Sequence, residues 1–276
     1  MTDRYGVVGN PISQSKSPLI HRAFARATGQ QLEYRAIEAP LGGFAAVADA
    51  FRASGGRGLN VTAPFKMDAF AFAAHLSNRA QRAGAVNALR FTDASVEGEN
   101  FDGVGLVRDI VVNAACPIAG KRVLLLGAGG AARGALLPLL AERPAQLRLV
   151  NRDADKARAL AASMADAGAI SAGGYDDIGP AGFDLVINAT SASLTGALPA
   201  TPAVAFRGCV LAYDLTYGKG LTPFLAAARA GGAARIADGV GMLVEQAAEA
   251  FAWWRGVRPP TDAVMAALTV PLVAPR

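Results

Sequence analysis

Residues 121–132 constrain the fold of this chain more tightly than any other stretch. Lys121-Arg122-Val123-Leu124-Leu125-Leu126 is a short apolar run, and it ends on Gly127-Ala128-Gly129-Gly130-Ala131-Ala132. An apolar run of that length before a glycine turn predicts a buried strand, and residues 131–141 after it predict a helix. Gly127, Gly129 and Ala132 fit the G-x-G-x-x-G/A pattern. The first glycine permits a tight turn, the second lets backbone approach a pyrophosphate, and the third small residue lets the helix pack on the sheet. A helix that starts there aims free N–H groups and its dipole at phosphate oxygens.

The segments that follow repeat the alternation. A strand is predicted over 146–150, a helix over 154–167, and further strands over 185–188 and 210–214, the pattern of a doubly wound nucleotide-binding unit. Pro117 to Gly120 mark a boundary before it. The first hundred residues alternate in the same way, with strands predicted over 4–9, 32–37 and 58–62 and helices over 18–28, 43–53 and 65–74. This alternation predicts parallel strands with helices on their faces. Two short strands follow over 85–91 and 95–100, Asp102-Gly103 breaks the pattern, and a helix is predicted over 104–115. The last forty residues read as helices over 241–254 and 262–268. They could complete the second domain or return to brace the first. The fold class is α/β with two domains, an N-terminal α/β substrate domain (1–103) and a C-terminal Rossmann-type dinucleotide-binding domain (104–238), with terminal helices over 239–276.

Composition removes several function classes. The chain has 276 residues, enough for two cores, and 52% are apolar. Every long apolar run is cut before the roughly 18 residues a spanning helix needs. The N-terminus lacks a basic region followed by an apolar core, so a cytoplasmic protein is expected. Cys116 and Cys209 have no disulfide or metal spacing and read as buried free thiols. His21 and His75 sit in no metal or triad pattern, so no metal is expected. The net charge of +5 is scattered rather than gathered in a stripe, which speaks against nucleic acid and suits an anionic substrate or a phosphate-rich cofactor. Trp253-Trp254 reads as core packing.

The second strand of a dinucleotide unit distinguishes cofactors, by a carboxylate for a ribose 2′-hydroxyl or an arginine for a 2′-phosphate. Here Val150 is followed by Asn151-Arg152-Asp153, with Lys156 one turn on. Arg152 and Lys156 favour NADP by charge-assisted hydrogen bonds. Asp153 points to NAD, or else caps the next helix.

Three distant stretches supply the remaining chemistry: Ser15-Lys16-Ser17, Asn60-Val61-Thr62-Ala63-Pro64-Phe65-Lys66, and Glu99-Asn100-Phe101-Asp102-Gly103. Their hydroxyls, amides, lysine and carboxylate are what is needed to hold a small polyhydroxylated acid and move a proton on it. On an extended segment Ser15 and Ser17 face the same side and could meet one ligand. Ser17 could equally cap a helix before Pro18, Lys66 could be a solvated lysine, and Asp102-Gly103 an ordinary turn.

Taken together, these stretches resemble the shikimate dehydrogenase family. The matching residues are Gly9 to Pro18 with His21, Gly58 to Lys66, Gly84-Ala-Val-Asn87, Asn100-Phe-Asp-Gly103, Gly127 to Gly134 and Asn151-Arg152. They continue with Asn188-Ala-Thr-Ser191, Tyr213 to Tyr217, Thr222-Pro-Phe-Leu225 and Asp238 to Gln246. The matches run in order along nearly the whole chain. The resemblance implies that Ser15, Ser17, Asn60, Thr62, Asn87, Asp102, Tyr217 and Gln246 surround the substrate, and that Lys66 and Asp102 form the catalytic pair. It places the cofactor against Gly127, Ala128, Gly129, Gly130, Ala131, Asn151, Arg152, Lys156, Thr190, Gly239 and Met242, and returns the terminal helices to the first domain. The implied activity is reversible, NADP-dependent reduction of 3-dehydroshikimate to shikimate in aromatic amino acid synthesis, by a monomer or homodimer that engages neither nucleic acid nor membrane.

Four positions depart from the family pattern. Phe101 stands where a hydroxyl-bearing residue is usual, Arg22 follows His21 in place of Asn, Asp153 replaces a Thr, and Lys156 an Arg. Asp153 and Phe101 leave open an NAD-preferring quinate/shikimate dehydrogenase. A catalytically silent ligand-binding relative and a two-domain nicotinamide enzyme for a folate or tRNA-linked substrate fit the intact Lys66 and Asp102 and the paired serines less well.

Overall fold

A computed structural model describes residues 2–273, and the chain divides into two units: Met1–Gly105 with Val244–Ala266, and Leu106–Leu243 with Ala267–Arg276. In the first, the chain runs β1 (Asp3–Gly9), α1 (Ser17–Thr28), β2 (Leu32–Glu38), α2 (Phe44–Ala53), β3 (Gly56–Val61), α3 (Lys66–Phe72), β4 (His75–Leu76), α4 (Asn78–Ala83), β5 (Ala88–Phe91), β6 (Val96–Glu99) and into α5 (Asp102–Arg108). Helix α1 shows why these segments fold as they do. Pro18 presets its first turn. Ser17, Ile20, His21, Phe24 and Ala25 recur at helical spacing and are its buried face. Gly29 closes it in the left-handed region, φ 65°, a conformation that favours glycine.

The sheet of this unit has the order β2-β1-β3-β5-β6-β4. Strands β1, β2 and β3 are parallel, but β5 is antiparallel to both β3 and β6. The sheet is therefore mixed rather than all parallel. The ladder of β5 starts at Ala88 instead of residue 85, because Val86 turns its N–H to the Lys66 carbonyl at 2.9 Å. Asp102-Gly103 does not break the chain; these residues open α5. The helix expected over 104–115 is α only to Arg108 and continues as one π-helical segment, Asp109–Asn113.

The second unit runs β7 (Arg122–Leu126), α6 (Gly130–Ala141), β8 (Gln146–Val150), α7 (Ala154–Ala162), β9 (Ile170–Gly173), β10 (Leu185–Asn188), β11 (Leu211–Asp214), α8 (Pro223–Ala230) and β12 (Ile236–Ala237). All the pairings are parallel, in the order β12-β11-β10-β7-β8-β9, which is the doubly wound dinucleotide order. Successive residues of β7 go to opposite faces: Val123 and Leu125 join one core cluster, Leu124 and Leu126 another. Burial on both faces explains the unbroken apolar run. Helix α7 stops at Ala162, five residues short of expectation, because the following amides bond three residues back and tighten the chain. Helix α8 and strands β9 and β12 have too little periodicity or length to stand out in the sequence.

Helix α9 (Val240–Arg255) begins in the second unit and ends in the first, followed by α10 (Asp262–Leu268). In the first unit, Trp254 stacks on Tyr5 at 4.8 Å, and its indole N–H donates to the Leu89 carbonyl at 3.0 Å. Gly58 makes that seat possible: a Cβ there would lie 2.6 Å from Trp254 Nε1 and 2.7 Å from the Leu89 oxygen. Gly58→Ala is expected to lower stability by about 1–3 kcal/mol, seen as a lower urea midpoint by circular dichroism with an unchanged slope.

Candidate active site

In the first unit, the start of α3, the turn before β5, the chain from β6 into α5 and the later part of α9 bring five polar side chains together. Lys66 opens α3, its backbone fixed by the bond from Val86. Its ammonium donates to Asp102 Oδ2 at 2.6 Å, with the lysine side chain about a third exposed (34%) and the aspartate largely buried. Asn87 Nδ2 donates to Asp102 Oδ1 at 2.8 Å and to Gln246 Oε1 at 3.3 Å. Asn87 Oδ1 accepts from the Phe101 N–H at 2.9 Å, and Asn100 Oδ1 accepts from the Asp102 N–H at 3.1 Å. Asp102 is thus held from both sides, at a helix start where a negative charge is favoured.

Two further side chains join this group. Asn60 Nδ2 donates to the Asn87 carbonyl at 3.3 Å, and Tyr34 donates to Asn60 Oδ1 at 2.7 Å. Thr62 lies just past β3, where its N–H donates to the Val8 carbonyl. A second carboxylate, Glu99, is close by in sequence but is already engaged. Arg79 pairs with it at 2.7 Å, and Ser77 and the Asn100 N–H also donate to it. Glu99 anchors the strand end; Asp102 is the carboxylate that meets a proton carrier.

In the second unit the glycine turn has the geometry its pattern demands. Gly127 sits at φ 106°, its N–H donating to the Val150 carbonyl, and a Cβ there would approach the Ala189 oxygen to 3.0 Å. Positions 129 and 130 open onto free space, and Ala132 is buried in the core. Gly129 caps α6 without any side-chain bond, so the first N–H groups of that helix stay available to an anion. Arg152 is exposed. Asp153 caps α7, Oδ1 accepting from the Lys156 N–H at 3.2 Å, and its other oxygen lies 3.9 Å from the Lys156 ammonium. Asn151 Nδ2 bonds the Asp153 carbonyl. Thr190 donates to Asn188 Oδ1 at 2.7 Å. Gly239 packs where a Cβ would be 2.2 Å from the Leu215 oxygen. The Met242 N–H reaches the Tyr213 phenol at 3.3 Å, which donates to Asp109 Oδ2 at 2.6 Å.

Comparison with known proteins agrees with both halves of this geometry. Residues 7–89 match the shikimate dehydrogenase substrate binding domain, 110–196 the shikimate / quinate 5-dehydrogenase family, and 239–269 the shikimate 5′-dehydrogenase C-terminal domain. The chain is 58% identical to a shikimate dehydrogenase (NADP(+)) of Aromatoleum aromaticum over 96% of each chain. This chain belongs to the shikimate dehydrogenase family. Among solved structures it resembles an Ael1 enzyme from Pseudomonas putida, with TM-score 0.95, 57% identity and coverage of 99% and 100% of the two chains. It also resembles the shikimate 5-dehydrogenase of Thermus thermophilus, solved with NADP(H) and shikimate, with TM-score 0.86, 30% identity and coverage of 97% and 98%.

Against the family pattern, several expectations are corrected. Ser15 and Ser17 do not lie on an extended segment: Ser15 is in a turn and Ser17 is the first residue of α1, its N–H donating to Ser15 Oγ at 3.3 Å. Nor does Ser17 cap the helix, since the cap position is Lys16. The Phe101 ring is buried among Ala88, Ala250 and Trp253, and its backbone N–H takes part in the polar group. Asp153 acts as a helix cap. Tyr217 belongs to the second unit and is exposed after β11. Cys116 and Cys209 are free and buried. Among the described residues, no cluster of His, Cys, Asp and Glu could hold a metal ion, and no helix is long and apolar enough to cross a membrane.

Tyr34 was not legible as a site residue, because it reads as one apolar position of a strand. His21, matched to the family by sequence, serves as its neighbour: the fully buried imidazole stacks on the Tyr34 ring at 4.2 Å and 6°. Neither ring nitrogen has a hydrogen-bond partner, and burial lowers its pKa to about 3. In the unfolded chain the imidazole takes up a proton near pH 6.5. Stability from the neutral ring is therefore complete above pH 6.5 and is lost as pH falls towards 3. Between pH 6.5 and 5 the unfolding free energy is expected to fall by up to about 1.4 kcal/mol per pH unit. His21→Gln should flatten that slope in urea titrations whatever its own stability, and an unchanged slope would assign it to other groups.

Proposed function

We propose that this protein is an NADP-dependent shikimate dehydrogenase that reversibly reduces 3-dehydroshikimate to shikimate. The observation that carries the reading is the 2.6 Å Lys66–Asp102 contact, held by Asn87 within a unit whose residues 7–89 match a shikimate-binding domain. Ser15, Ser17, Asn60, Thr62, Asn87, Tyr217 and Gln246 bind the substrate's carboxylate and hydroxyls. Reduction of the ring ketone requires a proton at the oxygen. Lys66 donates it, and accepts it back in the oxidation direction, while Asp102 fixes the ammonium beside the reacting atom. A positioned acid of this kind contributes roughly 10²–10⁴-fold.

The second unit fits a dinucleotide. The open space at Gly129 and Gly130, before a helix with no side-chain cap, suits a pyrophosphate. With Gly127, Ala128 and Ala131 they would form the phosphate cradle, and Asn151, Arg152, Lys156, Thr190, Gly239 and Met242 the remaining contacts. When bound, the nicotinamide supplies the hydride for the ring carbon. NADP is supported over NAD because the Asp153 carboxylate is committed to capping α7 while Arg152 stands exposed beside it. Buried free thiols accord with a cytoplasmic setting.

Initial rates of shikimate oxidation, compared with NADP⁺ and NAD⁺, test this reading. NADP⁺ should be strongly preferred, and Arg152→Ala should raise the KM for NADP⁺ about tenfold or more, as loss of a charge-assisted bond implies, with little change for NAD⁺. Preference for NAD⁺ in the unaltered protein would transfer the chain to the quinate/shikimate branch. Lys66→Ala should lower kcat by about 10²–10⁴-fold with a much smaller rise in shikimate KM. An unchanged kcat would remove Lys66 from proton transfer.

A further inference from the structure

We propose that Tyr34 is a positioning residue of the substrate site, whose single buried hydroxyl sets the orientation of Asn60. The inference rests on the function proposed above and extends it to a side chain outside the binding set.

Tyr34 is the one fully buried residue of β2. Its O–H donates to Asn60 Oδ1 at 2.7 Å. A phenol has one proton, and here it goes to Asn60. The opposite end of the Asn60 amide is also fixed, Nδ2 donating to the Asn87 carbonyl at 3.3 Å. Flipping the amide would set its oxygen against that carbonyl oxygen, so the two bonds together select one rotamer. The remaining N–H and lone pair of Asn60 then face a set direction.

The phenol is itself immobilised. His21 stacks on one side of the Tyr34 ring, and His21 packs in turn beside Phe24, Phe251 and Trp254. Burial raises the phenol's pKa well above its ordinary value, so it remains a donor throughout the working pH range. The Asn60 side chain of β3 is thereby set by an oxygen anchored in an aromatic stack. Pre-organised binding groups spare the ordering cost that substrate binding would otherwise meet.

Tyr34→Phe removes only that oxygen and keeps the stack. With the unaltered full chain turning over shikimate, the variant is expected to raise shikimate KM about five- to tenfold, the worth of one buried hydrogen bond. The KM for NADP⁺ should stay within about twofold. In an Asn60→Ala background the same change should add less than about a twofold effect, because the group it acts through is gone. An unchanged shikimate KM, an equal rise in both KM values, or the full factor persisting in the Asn60→Ala background would each overturn the inference. Failure of the unaltered protein to oxidise shikimate would instead overturn the function on which it rests. Should Tyr34→Phe not fold, Tyr34→Leu supplies the test: a rise in shikimate KM that persists in full in the Asn60→Ala background refutes the link through Asn60, and one that largely disappears there supports it.

Discussion

Every hydrogen-bonding group of Asn87 has a partner, and the polar site of the first unit depends on that. Its N–H donates to the Glu99 carbonyl and its carbonyl accepts from Val61, so it bridges the ends of β3 and β6 by backbone alone. Its side chain then carries the bridge to Asp102, Gln246 and the Phe101 amide. A buried amide left half-satisfied costs about 1–3 kcal/mol, which makes this arrangement the only inexpensive one for the side chain. The carboxylate that meets Lys66 is consequently placed by bonds formed at the sheet edge.

The second unit obeys a different constraint. Its central strands are buried on both faces, so nothing polar can leave the sheet except at strand ends. Binding groups must then come from the loops after β7, β8, β10 and β11, and that is where the glycine turn, Arg152, Thr190 and Tyr217 are found. Close backbone approach fixes which of those positions must be glycine. A Cβ at Gly127 or Gly239 would press on a neighbouring carbonyl oxygen, whereas at 129 and 130 it would meet open space.

How much of this was readable in advance follows from the same physics. The strands at 146–150 and 185–188 and the helix at 262–268 were placed to the residue, because continuous burial or helical spacing marks them. The residues that meet around Lys66 and Asp102 were also legible, but through their order along the chain and the family it resembles. No single spacing distinguished Lys66 from a solvated lysine. What the sequence hid were features set by distant partners. The antiparallel run of β5 depends on which strand it meets, β4 has two residues, and the π-helical segment after Arg108 has no periodicity of its own. Tyr34 was hidden for a related reason: in a strand, a buried tyrosine that donates to a site residue has the same pattern as one that fills the core.

Two carboxylates lie three residues apart, and they show how the fold chooses between equals. Glu99 and Asp102 are both buried, and either could be drawn as an acid–base partner from the sequence. Glu99 is the last residue of a strand, where its side chain meets the Arg79 guanidinium in a two-point contact and accepts from Ser77, the cap of α4. Its charge is spent on joining a helix to the sheet. Asp102, one helix start later, receives a neutral donor from Asn87, and the cation paired with it is a lysine a third exposed. A guanidinium does not give up its proton, whereas an ammonium can pass one to a reacting oxygen. The carboxylate paired with the group that can give up a proton is therefore the one equipped for chemistry, and the one paired with arginine is left to structure.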